Sequence, residues 1–172
     1  MAAALVGAVI LQHGAAARWT ASRAQDTQAR AAAWLREHAP DGAIVVGDWH
    51  APRLPAIESR REFEGRVPAS TMSRLRPSFR TATAFDYFEG ELSAIPGATA
   101  RVDDFAALAA AGPSYAVVSD LGEATFDDLP PGDYAGRRWY VGVRERMALV
   151  HEVLPGPGLR GPAIRVYESK RP

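Results

Sequence analysis

The sequence predicts an α/β fold, a small mixed β-sheet with helices packed on it, preceded by an apolar N-terminal membrane-helix segment. Three observations carry this reading. Two short apolar runs, Ala43–Trp49 and Tyr115–Ser119, each follow a helical pattern closed by glycine and proline, which is the grammar of αβ units. Two further runs, Met147–Leu154 and Ala163–Glu168, are joined by Pro155-Gly156-Pro157-Gly158 and suit an antiparallel pair. At the other end, Ala2–Leu11 carries no charge at all.

At 1.5 Å per residue, Ala2–Leu11 covers about half of a ~30 Å hydrocarbon core. Three readings fit it. It is the end of a transmembrane helix, with Arg18 and Trp19 as interfacial anchors; or a signal-peptide core cleaved near Ala15-Ala16-Ala17, although a basic leader is missing; or a buried helix of the domain. The first divides the chain into residues 1–18, a membrane segment, and residues 19–172, an extracytoplasmic domain.

The next helix starts at Asp26 or Thr27 and stops at Pro40 and Gly42. Ala31, Trp34, Leu35 and His38 share one face of it. Ala43–Trp49 is then a buried strand. Residues 50–98 are broken by Pro52, Pro55, Pro68, Pro77 and Pro96. Irregular structure is expected there, with short helices at Leu54–Phe63 and Ala84–Leu92. Thr99–Val102 reads as a brief strand. Asp103 caps a helix over Asp104–Ala111, with Phe105, Leu108 and Ala109 on one side, and Gly112 and Pro113 end it. Tyr115–Ser119 is the second central strand, Asp120–Pro131 a loop with helical turns, and Arg137–Arg146 a helix weakened by Gly142. The last two runs form an antiparallel edge pair.

Composition excludes several functions. The chain has 172 residues, 47% of them hydrophobic, enough for one packed domain. Lys+Arg and Asp+Glu are equal at 20 each, which gives no general attraction to nucleic acid or to anionic lipid. Without cysteine there is no disulfide framework, thiolate metal site or cysteine nucleophile. The charges are nonetheless segregated: Arg53, Arg60, Arg61, Arg66, Arg74, Arg76 and Arg80 precede an acidic block from Asp86 to Asp128.

Asp48-Trp49-His50 ends a predicted parallel strand, where α/β proteins place their sites. An aspartate and a histidine there suit acid–base work, but fall short of a metal ligand set, and His13, His38 and His151 show no ligand spacing. The plainer reading is a strand-end histidine bonded to its loop. Ser119-Asp120 also ends a strand, yet Val117-Val118-Ser119-Asp120-Leu121 is no nucleophile elbow, and the serine suits a cap. Gly156-Pro157-Gly158 and Gly161-Pro162 lack both phosphate-cradling spacing and a following helix. No cofactor is expected. Arg60, Arg61, Arg74 and Arg76 suit phosphates of a lipid headgroup or lipid carrier, or else form a solvated face paired with the acidic block. Without interleaved aromatic residues they do not suit single-stranded nucleic acid.

Three pieces of the chain together resemble a known family. These are Asp26-Thr27-Gln28-Ala29-Arg30 leading to Ala33-Trp34-Leu35, the strand Tyr115-Ala116-Val117-Val118-Ser119, and Pro155-Gly156-Pro157 through Gly161-Pro162-Ala163-Ile164-Arg165-Val166-Tyr167. The pattern resembles the C-terminal extracytoplasmic tail of bacterial membrane glycosyltransferases of the family 39 type, relatives of protein O-mannosyltransferases and aminoarabinose transferases. It covers roughly residues 1–49 and 99–170. The resemblance implies an accessory domain of a membrane enzyme that uses a polyprenyl-phosphate sugar donor. The family's key acidic residues lie in an earlier loop, so no catalytic residue carries over to this chain. The implied partners are the membrane, a lipid-linked sugar and the membrane part of a glycosyltransferase. The rival expectations are a free-standing, membrane-anchored sugar- or protein-binding module, and a small hydrolase using Asp48 and His50.

Overall fold

Asp26, Asp104 and Ser119 each start a helix, because their short side chains satisfy its first free amides. The computed structural model describes residues 26–57, 61–62, 64–74, 76–84, 104–127, 129, 132 and 134–170. Asp26 caps α1 (Thr27–His38), its carboxylate accepting from the Gln28 amide at 2.9 Å. The chain continues through β1 (Ile44–Gly47), α2 (Ala69–Arg74), β2 (Arg80–Thr83), α3 (Phe105–Ala110), β3 (Ser114–Ser119), α4 (Asp120–Ala124), α5 (Ala135–Arg146), β4 (Met147–Val153) and β5 (Ile164–Ser169).

The five strands form one mixed sheet in the order β2-β1-β3-β5-β4. β1 runs parallel to both β2 and β3, while β5 runs antiparallel to both β3 and β4. β1 and β3 are buried along their whole length, which is why both read as unbroken apolar runs. Their side chains divide between two layers. Ile44, Val46, Ala116 and Val118 pack with Phe105 and Leu108 of α3 and with Trp139, Tyr140 and Val143 of α5. Val45, Tyr115, Val117, Ile164 and Val166 pack with Ala31 and Leu35 of α1 and with Phe79. The result is a three-layer α/β/α domain. Each large apolar side chain buried this way contributes about 1.5–3 kcal/mol.

Several expectations change. The cap of α3 is Asp104, not Asp103: its carboxylate accepts from the Ala107 amide at 3.0 Å. β2 and α2 fall in the stretch expected to be irregular. The β2 sequence Arg-Thr-Ala-Thr shows no apolar run because it is a half-buried edge strand. The β4–β5 pair is antiparallel as expected, but β5 inserts beside β3, so of this pair only β4 lies at an edge. α5 runs unbroken through Gly142. A Cβ there would lie 2.8 Å from Phe105 Cζ, so its absence is what lets α5 approach α3. The expected strand Thr99–Val102, most of the expected helix Ala84–Leu92 and the N-terminal segment lie outside the described residues. Among the described residues, no helix is long and apolar enough to cross a membrane.

Two of the quoted sequence pieces meet in space. The Thr27 amide donates to the Arg160 carbonyl at 2.8 Å. Gly161 follows with φ +109°, and a Cβ there would lie 2.9 Å from Asp26 Oδ1 and nearer still to the Thr27 hydroxyl. The Asp-Thr start of α1 and the Gly-Pro turn before β5 therefore fit as one junction.

Candidate functional site

In an open sheet of order β2-β1-β3 the chain reverses direction across the sheet beside β1, and the C-terminal ends of β1 and β3 open the crevice where such folds bind ligands. Here that crevice holds a side chain of the protein itself. Asp48 follows β1 directly and is 3% exposed. Its Oδ2 accepts from the Ser119 amide at 2.6 Å, the Ser119 hydroxyl at 2.8 Å and the Tyr140 hydroxyl at 3.2 Å. Its Oδ1 accepts from the His50 amide at 2.9 Å. One carboxylate thus ties the end of β1, the β3–α4 junction, α5 and its own loop together.

Ser119 is the N-cap of α4, as a serine at a strand end suggests. Its oxygen accepts from the Gly122 amide at 2.8 Å while its proton goes to Asp48. With both functions of the hydroxyl engaged and the residue fully buried, Ser119 is not placed as a nucleophile. Gly122 is required by the same cluster. A Cβ there would lie 2.5 Å from the Tyr140 hydroxyl oxygen and closer still to Asp48. The Tyr140 phenol is pushed well above its ordinary range, first by burial, then by the Asp48 charge and their hydrogen bond. It therefore stays protonated and donates to Asp48 throughout the working pH range.

The histidine of the expected pair contributes through its backbone. Beyond the amide bond to Asp48, the His50 carbonyl accepts from Gln28 Nε2 at 2.7 Å, fastening the loop to α1. Asp48 and His50 thus act as loop anchors. Among the described residues no group of three or more His, Asp and Glu is placed to hold a metal.

Beside the Asp48 cluster a cleft of ≈ 580 Å³ opens between the ends of β1 and β2. Thr81 and Thr83 line one wall, and Trp49, Pro52, Arg53 and Leu54 line another. Trp49 is 53% exposed at its mouth. Of the four arginines singled out, Arg61 and Arg76 are exposed, Arg74 closes α2 and Arg60 lies outside the described residues. Neither Arg61 nor Arg76 has an ion pair among the described residues. Sequence reading missed Tyr140, Gly122 and the threonines of β2. No local signal marks Tyr140, which reaches Asp48 across 92 positions.

Fold and site define a three-layer α/β domain whose strand-end crevice is closed by an internal carboxylate and flanked by an open cleft. No protein family, curated protein or solved structure matches the chain.

Proposed function

We propose that the chain is an accessory extracytoplasmic domain of a membrane glycosyltransferase that uses a polyprenyl-phosphate sugar donor, and that it works by contact rather than catalysis. One observation carries the non-catalytic part: the strand-end carboxylate Asp48, the group best placed for acid–base work, accepts four hydrogen bonds within the fold. With both oxygens engaged inside the fold and the residue 3% exposed, this carboxylate has no free face to offer a substrate. The contact part rests on the exposed arginines of the segment between β1 and β2, since a guanidinium meets a phosphate through a planar fork of donors.

The test is co-sedimentation of the full chain with vesicles containing polyprenyl phosphate, at low and at physiological salt. Near a membrane each basic residue contributes about 1 kcal/mol, and that attraction is screened by salt. Vesicles without polyprenyl phosphate measure attachment through the apolar N-terminal segment; the excess binding over them should fall with salt and vanish when Arg60, Arg61, Arg74 and Arg76 are all replaced by glutamine. No excess at low salt, or an excess that survives the four substitutions, overturns the contact surface.

A second reading, a membrane-anchored sugar-binding module, is favoured by the cleft itself. An exposed indole beside threonine hydroxyls and Arg53 suits a sugar ring, whose apolar face stacks on aromatic carbon. Loss of sugar binding on Trp49→Ala, with vesicle binding unchanged, would select it.

A further inference from the structure

At the other end of the sheet from Asp48, a cavity of ≈ 380 Å³ opens beneath α3. Phe105, Leu108 and Ala109 form its wall. Ser114, Met147, Arg146 and Lys170 also line it. The volume is that of a small-molecule site.

Its polar groups gather at one level of the sheet. Met147 pairs with Ser169, and the Ser114 amide donates to the Ser169 hydroxyl at 3.4 Å, so the start of β3, the start of β4 and the end of β5 lie side by side. Ser114 is 1% exposed, yet among the described residues its hydroxyl has no hydrogen-bond partner. Native folds rarely leave a buried hydroxyl unmet. Arg146 and Lys170 are both exposed beside it, and neither has an ion pair among the described residues. Arg146 lies over the Phe105 ring at 5.8 Å, which leaves its guanidinium protons available. The nearest acidic residue of β5, Glu168, is engaged by the Tyr115 hydroxyl.

An apolar wall on one side, with a buried unmet donor and two cations at one end, is the complement of an amphiphile with an anionic head. We propose that this cavity binds a medium-chain aliphatic carboxylate, the chain lying against Phe105, Leu108 and Met147 and the carboxylate meeting Ser114, Arg146 and Lys170. The site is separate from the cleft at Asp48 and does not depend on the function proposed above.

The test is calorimetric titration of the full chain with decanoate and with decanol, both below the concentration at which they aggregate, together with amide NMR shifts. Decanoate should bind saturably and shift Ala109, Ser114 and Lys170. Decanol, with the same chain and no charge, should bind roughly five- to tenfold more weakly, because charge-assisted hydrogen bonds are the stronger kind. Replacing Arg146 and Lys170 by glutamine should bring decanoate down to the level of decanol and leave decanol unchanged. Both side chains are exposed, so this variant keeps the fold. Ala109→Phe, which fills the cavity, should abolish both. Absence of saturable binding, equal affinity for the two probes, or full decanoate affinity in the glutamine variant would overturn the proposal.

Discussion

Replacing Asp48 with alanine is the most informative perturbation of this fold. The carboxylate accepts from the Ser119 amide, the Ser119 hydroxyl, the Tyr140 hydroxyl and the His50 amide, at 2.6, 2.8, 3.2 and 2.9 Å. Removing it strands these donors, three of them on buried residues. A hydrogen bond to a charged group contributes about 1.5–3 kcal/mol, and each stranded buried donor costs about 1–3 kcal/mol. The sum exceeds what single substitutions usually show, because the site relaxes and admits water; about 4 kcal/mol is the expected net loss. In a domain of this size that lowers the melting temperature by about 8–16 °C. Asp48→Asn keeps one acceptor oxygen and should lose about half as much, and Tyr140→Phe, which deletes the longest bond, about 1 kcal/mol. Urea unfolding followed by circular dichroism gives these numbers. Combining Asp48→Ala with Ser119→Ala should be non-additive, since both remove the bond from the Ser119 hydroxyl to Asp48. An aspartate kept for catalysis behaves in the opposite way: its removal often leaves stability unchanged or raised. Asp48→Ala within about 0.5 kcal/mol of the parent chain, or strict additivity with Ser119→Ala, would refute the structural role.

Three further expectations follow from packing and charge. Val117 is fully buried at the centre of β3, so Val117→Ala should cost about 2 kcal/mol in the same unfolding assay; an unchanged midpoint would remove β3 from the core. Gly142→Ala raises helix propensity by ~1 kcal/mol but drives a methyl group into Phe105, and the overpacking cost of about 1–3 kcal/mol should leave the variant no more stable, and more often less stable, than the parent. A clear gain in melting temperature would show that α3 and α5 do not meet as described. The His151 imidazole, stacked on Trp34 with ring centroids 4.8 Å apart, is held below its ordinary value of 6.5 by burial first and by His38 second. The unfolded chain therefore takes up the proton first as pH falls through about 6.5, and this contribution to stability is present above that pH and lost below it. Melting temperature should drop between pH 7 and pH 5, and His151→Phe, which keeps the stack, should reduce the drop; an identical slope would exclude His151 as its source.

The parts of the fold legible in the sequence are those where one local pattern decides the structure. Val45-Val46 and Val117-Val118 are apolar on both sides because both faces of their strands are covered, and Asp26 announces α1 because capping is a local bond. β2 was invisible because a half-buried edge strand needs no apolar run, so Arg80-Thr81-Ala82-Thr83 carries none. Gly142 misled for a related reason: propensity assigns it a local cost, while its role is a contact with Phe105 on another helix. The candidate site was half legible. Asp48 stands out as an acid at the end of a buried strand, and Ser119 as a cap. What Asp48 does depends on Tyr140 and Gly122, which reach it only through the packing of α4 and α5 on the sheet. The meeting of Thr27 with Gly161 is likewise a product of topology, bringing the two ends of the domain together.

We propose that this chain contributes contacts, not chemistry, to transfer from a lipid-linked sugar. The most direct measurement is release of labelled sugar from a polyprenyl-phosphate donor in nanodiscs by the full chain, compared with the Asp48→Asn variant. Release should be no faster than in protein-free nanodiscs for both, with the chain still bound to the donor-containing discs at low salt. Release that exceeds the blank in the parent chain and disappears in Asp48→Asn would contradict it, and would make Asp48 a catalytic acid rather than the bolt that holds β1, β3 and α5 together.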